Sequence, residues 1–403
     1  MKALAFFILA FGFYCCNAAG APAAAAARLT DNQRLNRLET EMNRINLHGS
    51  FDITGDSYYG KLPGYSADNP QVFPKHSGLG ISQQLGLELS LLAAPALEFY
   101  ASAHSAGYWG SGLPSDGNIG MPGTSGIPNI DQAYFRYCHP RFLLSAGRQY
   151  FSLGPFGLIA DNALSALDCM VVNSAIKNAS FTGIFARLST EYYYGTPYAI
   201  QDDDYYAFRF AKPFSGILLG GNILAGGLSG EQAGSLDMQF RIGKCELSAE
   251  AALYRPSVSF TGTEFRWHTG IILEIVPFQN DRAYFAITAG YLEKGFTPTF
   301  SSAAFSAPDA KVKFYHNTSG LDLLYQCRIG KSSILTGEYV GIAFLNKEFA
   351  LENEQYSQAP QTQITVKVTR HISENTRLET AYHYYHLKNS DYSHLSGGVM
   401  LSF

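Results

Sequence analysis

The sequence predicts an all-β chain: a transmembrane antiparallel β-barrel of about 18 strands, preceded by a short N-terminal helix. Three observations predict this fold. Apolar and polar residues alternate with a period of two from Phe51 onward, and short connections alternate with mostly longer ones. After the N-terminus, no apolar run approaches the ~20 residues that a membrane-spanning helix needs. The composition, with 15% charged residues against roughly 25% in an ordinary soluble domain and with 14% aromatic residues, argues separately against a disordered, collagenous or coiled-coil chain.

The N-terminus predicts a secretory signal peptide over residues 1–21. Lys2 supplies the positive charge, the run from Ala3 to Cys16 is apolar, and small residues allow cleavage at several positions within 18–27. We therefore expect export of the mature chain across the inner membrane.

The segment 28–47 has a helical pattern. Leu35, Leu38, Met42 and Ile45 recur at spacings of 3, 4 and 3, which is the a/d seam of a heptad. Two interpretations remain open: a periplasmic coiled coil that helps three barrels associate, or an amphipathic helix that packs on or plugs its own barrel. The barrel itself is expected over residues 48–403.

The strand segments each have one apolar and one polar face. In 235–242, for example, Leu236, Met238, Phe240 and Ile242 alternate with polar residues. The same pattern recurs in 81–91, 264–275, 321–328 and 363–368. Such alternation is typical of a barrel whose apolar side chains face lipid and whose polar side chains face the lumen.

The connections between the strands differ in length at the two ends of the predicted barrel. The short ones are Ala93-Ala94-Pro95, His139-Pro140, Lys212-Pro213-Phe214, Gly243-Lys244, Gly330-Lys331 and Ser373-Glu374. The longer ones are 60–77, 109–129, 151–163, 195–203, 227–233, 257–262, 293–317 and 345–361. Short periplasmic turns and long external loops explain this asymmetry. Because the segments near 164–173 and 312–320 have weak patterns, a barrel of about 16 strands is the alternative.

Directing each apolar face to lipid sends a set of charged side chains into the lumen. An arginine or lysine that faces lipid at the midplane costs about 2–4 kcal/mol, so the register is strongly specified. The set is close to balanced in sign, and a barrel of this size leaves an aqueous channel. The predicted pore-lining residues are Glu88, Glu98, Asp237, Arg241, Glu246, Glu250, Glu264, Arg266, Glu274, Arg282, Asp322, Arg328, Lys367, Arg377 and Glu379, together with Arg136.

The C-terminus carries a further signal. Hydrophobic or small residues stand at every second position from Leu395 to the terminal Phe403. This pattern resembles the assembly signal of bacterial outer-membrane barrels. The resemblance implies a location in the bacterial outer membrane, with its lipid, its lipopolysaccharide and the barrel assembly machinery as partners.

A second resemblance concerns the residues 147–161. The sequence Gly-Arg-Gln-Tyr at 147–150, followed by Gly157-Leu-Ile-Ala-Asp161, is similar to the general diffusion porins. In that family a Gly-Arg-x-Tyr strand end leads into a third external loop that folds into the lumen, and 151–163 is the third long connection here. The resemblance implies that Arg148 belongs to the basic wall of the constriction and Asp161 to the loop opposite it. We expect Arg136 to contribute to the same constriction.

The resemblance also implies passive diffusion of small hydrophilic solutes, and the N-terminal heptads suggest a homotrimer. A substrate-specific channel is the alternative, and a barrel enzyme or an adhesin is less favoured. The scattered histidines belong to no catalytic motif, so we expect no enzymatic activity and no cofactor. Cys138, Cys169, Cys245 and Cys327 lack CxxC spacing, so they indicate neither a metal site nor a disulfide framework. The net charge of −4 at pH 7 lacks the basic excess that nucleic-acid binding requires.

Overall fold

A computed structural model describes most of the chain as β-strands. The described residues are 44–60, 78–109, 129–161, 166–188, 203–227, 230–256, 266–298, 314, 316–345, 361–386 and 391–403. The strands are β1 Ile45–Gly60, β2 Gly78–Ala94, β3 Leu97–Trp109, β4 Asn129–His139, β5 Phe142–Gln149, β6 Leu167–Ile176, β7 Ala179–Leu188, β8 Asp203–Phe214, β9 Ile217–Gly226, β10 Gln232–Ile242, β11 Cys245–Arg255, β12 His268–Gln279, β13 Ala283–Leu292, β14 Thr318–Ile329, β15 Ser333–Phe344, β16 Thr362–Ser373, β17 Thr376–His386 and β18 Asp391–Ser402. No helix among these residues is long and apolar enough to cross a bilayer.

The strands form one closed sheet. Each strand pairs with its neighbours in sequence, and β1 pairs antiparallel with β18, from Ser50 opposite Ser402 to Gly60 opposite Tyr392. Closure leaves no strand with an unpaired edge. The structure therefore confirms the antiparallel barrel and fixes the count at 18 strands.

The connections divide as the sequence predicts. Every predicted short connection lies at one end of the barrel, here called the short-turn end, and the long ones lie at the opposite, long-loop end. Two short turns were missed: Lys177-Asn178 between β6 and β7, and 280–282 between β12 and β13.

The N-terminal boundary of the barrel differs from the prediction. The first strand begins at Ile45, so Ile45–Leu47 are strand residues and not the end of a helix. Ile45 and Leu47 are both exposed, and as alternate residues of one strand they lie on the same face as Ile53. The barrel unit spans residues 46–403. The signal segment and the rest of the helical segment lie outside the described residues.

The two faces of the sheet carry the predicted side chains. On β10, Leu236 is 74% exposed and Ile242 is 70% exposed, whereas Asp237 between them is 4% exposed. The same apolar outward face recurs in the other segments that the alternation identified, with Leu87 on β2 and Val366 on β16 as examples. The outward surface is therefore suited to a bilayer, and the inward surface forms the candidate site.

Candidate functional site in the barrel lumen

The connection between β5 and β6 folds into the lumen, as the resemblance implied for 151–163. Leu153, Leu158 and Ile159 are at most 1% exposed, although they belong to an external connection. The segment doubles back on itself, since Ser152 forms an isolated bridge with Asp161 and the Leu153 amide donates a hydrogen bond to the Ala160 carbonyl at 2.8 Å. We call residues 150–161 the inward segment.

A buried carboxylate on the far wall holds this segment. Oε2 of Glu250 on β11 accepts a hydrogen bond from the Phe156 amide at 3.0 Å. A Cβ at Gly154, whose φ is +87°, would lie 2.6 Å from the same oxygen, so only glycine allows this close approach. The strands β7–β10 lie between β6 and β11, so the inward segment reaches across part of the lumen.

Glu250 belongs to a connected polar network. Its Oε1 accepts a hydrogen bond from the Ser235 hydroxyl at 2.9 Å, and Ser235 in turn accepts one from the Asn222 amide at 2.8 Å. Asn222 also donates a hydrogen bond to Asp237, and Arg209 on β8 donates two to the same carboxylate, at 2.6 and 2.9 Å. Bidentate guanidinium–carboxylate pairs are among the strongest polar contacts in proteins, so this network is a rigid support for the inward segment.

The inward segment packs against an apolar part of the inner wall. Inward-facing residues of β6–β13 and two aromatic residues from the long connection after β13 complete this cluster, which we call the apolar side. Phe296 packs at Gly270 and Phe314 at Gly290, where any Cβ would collide with the rings. The cluster includes Leu153, Phe156, Leu158, Ile159, Ala160, Val171, Ile184, Leu224, Tyr254, Ile272, Leu292, Phe296 and Phe314.

The inner wall formed by β14–β18 and β1–β4 is polar, and we call it the polar wall. Glu98 accepts hydrogen bonds from Ser90 at 2.7 Å and from Arg136 at 3.3 Å. The rings of Tyr100 and Tyr134 lie 5.1 Å apart, and the Arg136 guanidinium lies 5.4 Å from the centroid of the Tyr134 ring. These side chains keep contact with solvent, since those of Arg136 and Glu98 are 38% and 26% exposed.

Further along the polar wall, Lys367 and Glu379 form an ion pair at 3.3 Å, with side chains 37% and 36% exposed. Nearer the long-loop end, the imidazole rings of His383 and His394 stack with centroids 5.5 Å apart. The lumen therefore has two different sides: the apolar side, which is filled by packed side chains and contains a buried polar network, and the polar wall, whose charged side chains are partly solvated.

The register places most of the predicted pore-lining residues on the inward face. Two of them have a different environment from the one expected: Asp237 and Glu250 are buried in the network that supports the inward segment. The inward-facing residues of the predicted set are Glu88, Glu98, Arg136, Asp237, Arg241, Glu246, Glu250, Glu274, Asp322, Arg328, Lys367, Arg377 and Glu379.

The predicted constriction residues do not come together. Arg148 faces Ala133 on β4 and Asp168 on β6. Ser145 and Gln149 on the same strand are buried and point inward, and Arg148, an odd number of residues from each, points outward. The register therefore corrects the inward placement of Arg148: the parity of its strand decides its direction. Arg136 lies nearer the short-turn end, bonded to Glu98, whereas Asp161 is buried within the inward segment.

Arg148 instead belongs to a row of alternating charges on the outward face. The pairs are Arg148 with Asp168, Asp168 with Arg187, and Arg187 with Asp204, across β5 to β8 near the long-loop end. Opposite charges in directly facing positions stabilise a sheet by roughly 0.2–1 kcal/mol per pair. We call this row the rim ladder.

Two other predicted positions differ from the expected lumen positions. Arg282 is exposed in the turn before β13, because a missed turn lies there. Arg266 is at the long-loop rim, where it binds Glu293 at 3.1 Å. Glu264 lies outside the described residues.

Arg209 and Asn222, which donate hydrogen bonds to Asp237, are not among the predicted lumen residues. Arg209 stands between Phe208 and Phe210 in β8, and the alternation of these aromatics with Arg209 was the signal that would have placed it inward. Within the described ranges, no group of three or more histidine, cysteine or carboxylate side chains is arranged to hold a metal ion. Cys138, Cys169, Cys245 and Cys327 are not joined in disulfides.

Comparison with known proteins identifies the fold. No family model matches the sequence, and no curated protein matches it. Among solved structures, OccAB4 of Acinetobacter baumannii has a TM-score of 0.55 at 11% identity, covering 88% of this chain and 98% of its own. OpdL of Pseudomonas aeruginosa has a TM-score of 0.56 at 12% identity, covering 90% and 99%.

Wzi of Escherichia coli, described as an outer-membrane protein involved in group 1 capsule assembly and as a carbohydrate-binding β-barrel, has a TM-score of 0.56 at 14% identity, covering 92% of this chain and 87% of its own. At such identities the likeness concerns the fold, which is a porin-like closed β-barrel of 18 strands.

Proposed function

We propose that the chain forms a water-filled channel in a bacterial outer membrane, through which small hydrophilic solutes and ions diffuse passively. One observation carries this proposal: charged side chains on the polar wall are about as exposed as surface residues, although they face the interior of a closed barrel. Arg136 and Lys367 are 38% and 37% exposed, whereas the side chain of Asp237 on the opposite side is fully buried. Charges that keep solvent contact inside a barrel require water there.

The inward segment gives the channel its shape. Because residues 150–161 and their apolar partners fill the side formed by β6–β13, the passage runs along the polar wall. A narrowed passage lined by charges on one side is compatible with diffusion of small solutes and restricts large ones.

The outward surface supports the membrane location. Large apolar side chains such as Leu236, Ile223 and Ile242 are more than half exposed, and they suit lipid better than water.

The proposal also includes a cleaved signal peptide, a periplasmic helix that serves as a coiled coil or a plug, and assembly as a homotrimer. Lipid, lipopolysaccharide and the barrel assembly machinery are the proposed partners.

Single-channel recording of the purified protein in planar bilayers tests the proposal. We expect ohmic current steps that grow with KCl concentration and that small sugars do not block. A variant that adds bulk to the polar wall, Ser102→Trp, should reduce the step size, whereas Leu236→Trp on the lipid face should not. A folded protein that inserts without any current step would contradict the channel.

A carbohydrate-specific channel is the second candidate, because one observation favours it. Tyr100 and Tyr134 form an aromatic pair beside the carboxylate of Glu98 on the polar wall, and aromatic faces with adjacent carboxylates suit sugar rings. The likeness to Wzi, which is described as carbohydrate-binding, is in line with this candidate. Block of the current by a particular sugar, abolished in Tyr100→Ala, would favour it over a general pore.

A further inference from the structure

We infer that the channel selects for cations, because the register leaves the polar wall with more acidic than basic side chains. The inference rests on the proposed channel and deepens it by naming the favoured class of solute. It also revises the near balance of charge that the sequence alone suggested.

The charges of the polar wall follow from the pairing of its strands. Among the side chains that the structure describes on β14–β18 and β1–β4, the inward acidic residues are Asp52, Glu88, Glu98, Asp322, Glu338 and Glu379. The inward basic residues of the same strands are Arg136, Arg328, Lys367 and Arg377. Asp131, at a bulge in β4, bonds to the inward-facing His104 at 2.7 Å and adds a carboxylate to the acidic set.

Two of the basic side chains are neutralised locally. Arg136 is paired with Glu98 at 3.3 Å, and Lys367 with Glu379 at 3.3 Å. Each pair contributes little net field beyond its immediate surroundings. The acidic surplus is therefore carried by the rest of the wall, where Glu88 and Glu338 face the lumen from β2 and β15.

The positive charges of the apolar side are balanced by carboxylates. Its inward arginines among the described residues, Arg209 and Arg241, lie against Asp237 at 2.6 Å and Glu246 at 3.5 Å, and Glu250 on β11 adds a further carboxylate. Low-dielectric walls around a narrow aqueous passage focus the field of the charges that line it. The apolar side therefore strengthens the attraction of the polar wall for cations.

The predicted selectivity is measured as the zero-current potential of the full chain across a KCl gradient. We expect the sign that corresponds to K⁺ permeating better than Cl⁻, and a larger potential at low salt, because the Debye length falls from ~30 Å at 0.01 M to ~3 Å at 1 M. Glu88→Gln with Glu338→Gln should move the permeability ratio towards one. Lys367→Gln, which removes a positive charge from the same wall, should raise it.

Asp168→Asn is the matched control, since it removes a carboxylate from the outward face and should leave the ratio unchanged. A conducting protein with a ratio of one or with Cl⁻ preference would overturn the inference and leave the channel in place. Cation preference that is insensitive to both Glu88→Gln and Lys367→Gln would overturn its assignment to the polar wall. Absence of any conductance would instead contradict the proposed function.

Discussion

Phe403, the last residue of the chain, and Gly49 at the start of the first strand exchange both of their backbone hydrogen bonds. The Gly49 amide donates to the Phe403 oxygen at 2.8 Å, and the Phe403 amide donates to the Gly49 carbonyl at 2.9 Å. A Cβ at Gly49 would lie 2.2 Å from the Phe403 ring, so the ring covers the glycine. An aromatic ring over a facing glycine is a known way of stabilising strand pairs, and here it stabilises the seam that closes the barrel.

We therefore predict that Gly49→Val weakens barrel closure. The new side chain displaces the Phe403 ring, which then loses its packing surface. The measurement is the temperature at which the purified barrel loses its compact form in gel electrophoresis. Gly183→Val is the control, because no atom lies within 4 Å of a Cβ built at that outward glycine. Phe403→Ala should lower the same temperature. Because both substitutions remove the same contact, the variant that combines them should be no less heat-stable than the less stable of the two single variants. Equal effects of Gly49→Val and Gly183→Val would contradict this account.

A second prediction concerns the anchor of the inward segment. Glu250→Ala leaves the buried Phe156 amide without its acceptor, which costs roughly 1–3 kcal/mol. We expect larger or noisier single-channel currents, because the inward segment loses its attachment to β11. Glu246→Ala is the control: it is on the same strand and face, but it is 40% exposed and paired with Arg241 near the short-turn end. Currents that match wild type in a folded Glu250→Ala protein would mean that apolar contacts alone hold the segment.

The sequence predicted the barrel better than it predicted the contents of its lumen. Period-two alternation identifies strands and outward faces because lipid contact imposes the same requirement on every strand. The turn at Lys177-Asn178 was missed because it contains neither glycine nor proline, although Lys177 adopts a positive φ of 56°.

The apolar side escaped prediction for a physical reason. Val171 and Ile184 face inward, so their strands are apolar on both faces and the alternation is weak there. The residues that pack against them belong to the long connections, and no sequence pattern within a connection shows that it folds into the lumen. The resemblance to porins predicted that residues 151–163 fold into the lumen, but it placed Arg148 on the wrong face of its strand. The pairing of β4 with β5 gives Arg148 its outward direction.

A third prediction tests the two faces by chemical labelling. Val366 is 45% exposed on the outward face, and Lys367 beside it is 37% exposed on the polar wall. In a background without the native cysteines, Lys367→Cys should react much faster than Val366→Cys with a small charged thiol reagent, because lipid excludes the reagent. The rates are compared in membranes and again after unfolding, where they should become similar. Similar rates in the membrane would refute the assignment of the faces.

The last prediction concerns the rim ladder. Because Arg148 faces outward, Arg148→Glu should leave the zero-current potential in a KCl gradient unchanged, whereas Glu379→Lys on the polar wall should shift it towards anions. Arg148→Glu should instead reduce heat stability, since it places a carboxylate opposite Asp168, and facing like charges destabilise a sheet by roughly 0.2–1 kcal/mol.

Adding Asp168→Arg to Arg148→Glu restores an opposite pair at that position, although it sets the new arginine against Arg187 on the next strand. Recovery of heat stability should therefore be partial, and it should become nearly complete when Arg187→Asp and Asp204→Arg are both added, because the whole ladder is then inverted. A charge on the outward face is separated from the passage by the sheet and is screened by the solution outside the barrel. A shift of the zero-current potential in Arg148→Glu as large as that in Glu379→Lys would therefore place Arg148 in the pore.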